Sequence, residues 1–147
     1  MSSSSHTLSP SRVPLWFLAA SAGGIAWNIF GAVQFAGSVA ATPDSLIASG
    51  LTAEQAAVMT GYPGWMTLAF ALGVFGGFVG SVLLLLRLRI AQPVLAASLV
   101  AYVALWIGDA VHGVFAAMGL PQVIILTTVV AIAAALLLLS RHPAARA

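Results

Sequence analysis

Apolar residues run along this chain in four long stretches, and charged residues fall mostly between them. From Val13 to about Ala40 there is no charged residue, a run longer than the roughly 20 residues needed to cross a hydrocarbon core about 30 Å thick. The pattern predicts a first spanning helix at about 14–39. A cleaved leader ending at Ser38-Val39-Ala40 is the rival reading, but the run is too long for a leader and Asn28 and Gln34 interrupt it. A second span is expected at about 63–86, closed by Arg87 and Arg89, and a third at about 90–118 with Pro93 in its first turn. The fourth, about 121–140, follows Gly119-Leu120-Pro121, a link in which glycine ends one helix and proline opens the next. No stretch alternates with a period of two, and open strand edges in lipid leave backbone groups unpaired. The expected fold class is therefore an all-α membrane protein, with residues 13–141 forming a single four-helix transmembrane domain.

Between the first two spans, residues 40–62 carry helix signals of their own. Thr42-Pro43-Asp44 combines an N-cap, a first-turn proline and an early acid, with Gly50 as a stop, and Thr52 with Gln55 forms a capping box. Two short interfacial helices are expected there. Tyr62 and Trp65 stand where amphipathic rings anchor at the headgroup level. Residues 1–12 are Ser-rich with nothing to bury and read as a disordered tail, and residues 142–147 as a second tail.

Composition turns the pattern into a class. With 61% hydrophobic and 5% charged residues, and a mean hydropathy of +1.09, the chain has too little polar surface to cover a soluble globule. The lipid bilayer is its expected solvent and first partner. The five basic residues are all arginine, and they flank the first, second and fourth spans so that an even number of crossings puts them on one side. By the positive-inside rule both termini are cytoplasmic, which leaves Asp44 and Glu54 outside. A net charge of +2 confined to helix ends is an orientation signal and excludes a nucleic-acid footprint. There is no Cys, which removes disulfides, thiolate metal sites and thiol nucleophiles. The arginine-only basic set points to a bacterial source, hence a multi-pass inner-membrane location.

Candidate chemistry centres on Asp109, an acid inside an apolar span. Trp106, Asp109 and His112 recur every third residue, so a continuous third helix stacks them on one face and lets His112 meet Asp109. Helix rise places Asn28 at a similar depth on the first span, with Gln34 further out. Two readings of this set stand side by side: polar glue between helices, or a binding or proton-handling site. His6 and His142 lie in the tails, so a three-histidine metal site cannot be assembled around His112, and haem ligation there needs a second ligand from Met or from another chain. No cofactor is expected, and with no nucleophile elbow, phosphate loop or paired carboxylates, no enzyme. On the second span Gly73 with Gly77, and Gly76 with Gly80, form small-xxx-small pairs that Ala69 and Ser81 extend, a strip for close helix approach. Contact within the chain is preferred over a homodimer, because four helices are available to take it up.

Trp27-Asn28 with Gly31, Pro63 and Trp65 ahead of Ala69-Phe70-Ala71, the Gly77 and Gly80 pair, Leu84-Leu85-Leu86-Arg87, and Pro93 followed by Ser98-Leu99 resemble a family of small four-helix bacterial inner-membrane proteins, itself uncharacterised and often given the nominal label of sugar transporter. The resemblance covers most of the chain and carries over no site residues; the region around Asp109 and His112 is where departures from the family are expected. Function is then expected in one of two classes. The first is a small-solute or proton-coupled transport component built on Asn28, Asp109 and His112. The second is an accessory or assembly subunit of a larger membrane complex.

Overall fold

The computed structural model describes residues 12–146, so the tail expected over residues 1–12 lies outside the described residues except for Arg12. Seven α-helices follow one another: α1 (Leu15–Ala40), α2 (Pro43–Ala48), α3 (Ala53–Gly61), α4 (Gly64–Leu85), α5 (Ala91–Val111), α6 (Val114–Met118) and α7 (Leu120–Ser140). No strand occurs among the described residues. Helices α1, α4, α5 and α7 are each long and apolar enough to cross a membrane.

Both short helices of the first loop begin as their capping residues dictate. The Thr42 hydroxyl accepts from the Ser45 amide at 3.1 Å and the Ser45 hydroxyl takes the Thr42 amide at 2.9 Å, so two otherwise orphaned donors are satisfied reciprocally. At α3 the Thr52 hydroxyl accepts from the Gln55 amide at 3.1 Å, and Gln55 Oε1 accepts from the Thr52 amide at 3.0 Å. The same Gln55 donates through Nε2 to the Ala117 carbonyl at 3.1 Å, fastening α3 to α6.

One helix expected over 90–118 is two. Helix α5 stops at Val111, and Gly113 adopts φ 78° before α6 restarts at Val114. A left-handed glycine closes a helix at no steric cost. The apolar pattern runs on through Gly113 to Met118, so periodicity alone does not reveal the break.

The α4–α5 link ends differently. Arg87 holds φ 59°, the one left-handed non-glycine among the described residues, and the Leu88 amide donates back to the Leu83 carbonyl at 3.0 Å, a Schellman-type closure. The conformation costs roughly 1–2 kcal/mol for an L-residue. The Arg87 side chain offsets it: Nε donates to the Ala144 carbonyl at 2.9 Å, and Nη2 donates to the Arg146 carbonyl. Residues 142–146, within the stretch expected as a tail, are therefore folded back against the bundle. A 3₁₀ turn over Pro143–Ala145 buries Ala145 with Phe17, Leu84 and Ala91, and the His142 ring meets Trp16 edge-on at 5.0 Å. Ala144 and Ala145 are small and apolar enough to be taken into that cluster. The start of α1, the α4–α5 link and the end of α7 thus share one end of the bundle, and Arg87, Arg89, Arg141 and Arg146 lie there.

Packing along the bundle runs α1 on α4, α4 on α5 and α5 on α7. The α4 glycines are the seats. A Cβ added at Gly73 would lie 2.6 Å from the Tyr102 ring, and one at Gly80 2.6 Å from Leu95 Cδ2, so those side chains sit where a larger residue would be. Gly76 faces Ser98, whose hydroxyl donates to the Gly73 carbonyl at 2.6 Å. Gly77 alone turns the other way, onto Asn28 of α1. The two ridges expected from spacing are thus sorted by partner: Gly73, Gly76 and Gly80 meet α5, and Gly77 meets α1.

Candidate functional site

Helices α1 and α7 meet near the arginine end, where Gly24 lies under Leu136, and they part toward the other end. The gap between them is a cleft of about 540 Å³, within the range of small-molecule sites. Its walls carry Trp27 and Phe30 of α1, Phe70 of α4 and Tyr102 of α5, with Tyr62 beside α3. Its polar groups are Gln34 and Ser38 of α1, Asp109 of α5, and Gln122 and Thr128 of α7. Phe30, Ile124 and Ile125 line the same space while remaining 53%, 55% and 59% exposed. The cleft therefore opens sideways, between α1 and α7. Met59 and Val114, from the α3 and α6 segments joined by the Gln55 bond, border it at the end away from the arginines.

Asp109 is 5% exposed, and its Oδ2 accepts from Gln122 Nε2 at 3.1 Å. Because α5 ends at Val111, Asp109 stands in its last turn, and Gln122 stands in the first turn of α7. The intervening link, with Gly113 and Gly119 at φ 78° and 79°, brings the two turns side by side. Asp109 is thus near the end of its span rather than at mid-depth. Among the described residues lining the cleft it is the only charged side chain, and no arginine or histidine faces it there.

The other residues singled out from sequence are distributed differently. His112 is the C-cap of α5, exposed, with its ring against Trp65 at 6.1 Å. The expected contact with Asp109 is not made: the His112 amide still bonds the Gly108 carbonyl at 2.8 Å, but its ring is turned to the α4 side, onto Trp65, which Gly108 also faces. Asn28 is buried and donates to the Gly24 carbonyl of its own helix at 2.8 Å. It seats α1 on Gly77 and does not line the cleft. Trp106 donates from Nε1 to the Thr127 hydroxyl at 3.0 Å and packs on Phe115, bracing α5 against α7. Only Gln34 and Asp109 of the five share the cleft.

Sequence reasoning missed Gln122, the one hydrogen-bond partner Asp109 has among the described side chains. Its signal was present: Gln122 is the first polar residue after the Gly119-Leu120-Pro121 link, so it enters α7 at the level where Asp109 leaves α5. Tyr102 was legible too, since Tyr102, Leu105 and Asp109 stand at i, i+3 and i+7 on one face of α5.

No group of three His, Asp or Glu residues among those described is placed to hold a metal ion. No family model, curated protein or solved structure matches the chain. What the cleft can do follows from its own chemistry: it offers aromatic faces and a carboxylate–amide pair to a molecule arriving from the side.

Proposed function

We propose that this chain is a multi-pass protein of a bacterial inner membrane that serves as the solute-binding component of small-molecule transport. One observation carries the reading: a laterally open, aromatic-walled cleft whose buried acid, Asp109, has an amide as its partner and no cation. Purely structural acids inside membrane spans are rare and are normally paired. A carboxylate left facing a cavity is available to a proton or a solute. In this reading the arginine end is cytoplasmic, by the positive-inside rule, and α2 and α3 lie at the outer interface.

The absence of Cys makes a direct test available. Single cysteines at Thr128, in the cleft, and at Leu138, on the lipid-facing surface near the arginine end, are labelled in vesicles with a small membrane-permeant maleimide, which reacts with a thiolate in a solvated cleft but not with a thiol covered by lipid. A solvated solute site labels Thr128→Cys well ahead of Leu138→Cys; equal protection of both defeats the reading. Reporter fusions at Ala147 and after Gly50 should read cytoplasmic and external respectively.

A second reading, an accessory subunit, is favoured by a shallow apolar groove of about 450 Å³ between Trp65, Leu68 and Leu72 of α4 and Ala97, Ala101 and Ala104 of α5. Small residues of this kind admit another helix closely. Copurification of a stoichiometric larger protein from native membranes, lost on Ala97→Leu at the exposed floor of the groove, supports that alternative.

A further inference from the structure

We infer that the ligand class of the cleft is a lipophilic organic cation, such as an amphiphilic amine or onium ion, bound in exchange for a proton at Asp109. The inference rests on the solute-site reading and adds to it the ligand's charge, its apolar character and its route. Charge comes first. Asp109 is the charged group of the lining, it is almost fully buried, and its contact is an uncharged amide. A carboxylate so enclosed is costly to keep ionised without a partner, so it holds either a proton or a positive charge brought by the ligand, and not both. An anionic ligand would be repelled by it and would find no arginine, lysine or histidine in the lining.

The walls supply the second term. Trp27, Phe30, Tyr62, Phe70 and Tyr102 line the same cleft as the carboxylate, and aromatic faces attract cations by an electrostatic term that grows when water is removed. Route supplies the third. Exposed Phe30, Ile124 and Ile125 at the rim give the cleft an apolar sill level with lipid, over which a bilayer-soluble molecule can pass with its charged group turned toward Asp109.

Titratable groups near Asp109 are few. Tyr102 on α5 and Tyr62 beside α3 line the cleft, and His112 on the same helix is turned to Trp65. Neither α1, α4, α6 nor α7 places a titratable residue in the lining. Proton exchange with the ligand is therefore assigned to Asp109.

The test uses the full chain in detergent micelles and two ions of matched shape and opposite charge, tetraphenylphosphonium and tetraphenylborate, followed by equilibrium dialysis at roughly pH 5 to 8, below the range where phenols ionise. The phosphonium should bind saturably, and on the acid limb its affinity should fall about tenfold per pH unit, as one-proton exchange requires. Binding in weakly buffered solution should release up to one proton per ion. Tetraphenylborate should show no saturable binding. Asp109→Asn should weaken phosphonium binding at least about thirtyfold and flatten its pH dependence; Asp109→Glu should restore both, and His112→Gln should leave the pH profile unchanged. Equal binding of the borate, pH-independent phosphonium binding, or binding unaffected in Asp109→Asn overturns the assignment. If the asparagine variant does not fold, the wild-type pH profile and proton release decide alone. When Thr128→Cys is labelled as a solute site requires and the phosphonium fails, only the ligand class falls. When Thr128→Cys is protected as well, the transport reading falls with it.

Discussion

The two ends of this bundle are built on opposite principles. At the arginine end all four long helices close on one another: Phe17, Leu84, Leu95 and Leu136 fill the centre, Gly24 and Gly80 let the backbones approach, and the C-terminal turn is clamped by Arg87. At the other end α1 and α7 separate, and short helices tied by Gln55 border the space left between them. Ser21 and Ser81, buried in the closed half, have hydroxyls with no hydrogen-bond partner among the described residues, while Ser140 and Asn28 bond to carbonyls of their own helices; in the open half the buried acid Asp109 takes its bond from another helix, through Gln122. The closed end resembles a structure optimised for contact, and the open end one arranged around particular polar groups. Lipid is as apolar as leucine, so helix association here depends on close packing and on hydrogen bonds rather than on exclusion of water. Close packing is thus concentrated where small residues allow contact, and the remaining half leaves the cleft between α1 and α7.

The contrast breaks most sharply at Gly24. A Cβ there would lie 2.8 Å from Leu136 Cδ2 and 2.8 Å from Ser81 Oγ, so Gly24→Leu should destabilise the protein by about 3 kcal/mol or more, at the upper end of overpacking costs. The same change at Gly37, where an added Cβ meets nothing within 4 Å, should be tolerated. Denaturant titration in micelles, read by far-UV circular dichroism, distinguishes the two; equal tolerance would mean that the closed end is not closed.

Next in size is the pair at the open end. Gln122→Ala leaves the buried Asp109 carboxyl without its partner and should cost about 1–3 kcal/mol in the same titration. A loss below about 0.5 kcal/mol would show that the carboxyl is satisfied by water in the cleft.

Arg87 separates backbone strain from side-chain clamping. Arg87→Ala keeps the left-handed strain and loses the bonds to Ala144 and Arg146, while Arg87→Gly loses the same bonds but relieves the strain. The glycine variant should therefore be the more stable of the two by about 1 kcal/mol, and thermal melts of the two variants side by side measure the difference. Identical melts would place the tail's anchorage elsewhere.

The smallest effect has the opposite sign. Removing the unpartnered hydroxyl in Ser21→Ala should leave stability unchanged or raise it by up to about 1 kcal/mol, because a buried polar group without a partner is itself a cost. A loss exceeding about 1 kcal/mol would reveal a hydrogen bond that Ser21 makes in the membrane.

Sequence by itself determined the helical class, the four long apolar helices and the capped starts of α2 and α3, because length, hydropathy and capping are local properties. Thr42, Thr52 and Gln55 act on amides three residues away, and a run of twenty apolar residues needs no partner to be recognised. It also marked Asp109, since an acid in an apolar run stands out without any knowledge of its surroundings. Only the tertiary structure decided where α5 ends, and that decided the rest of the site. Gly113 gives no periodic signal ahead of the apolar run to Met118, yet its left-handed turn, with that of Gly119, brings Gln122 up beside Asp109, while the His112 ring is turned away to Trp65. In the same way spacing marked the glycines of α4 as small, but which faced Tyr102, Leu95 or Asn28 depended on where α1 and α5 came to lie. Contacts between helices distant in sequence are set by the packing of all of them at once, and no single segment contains that information.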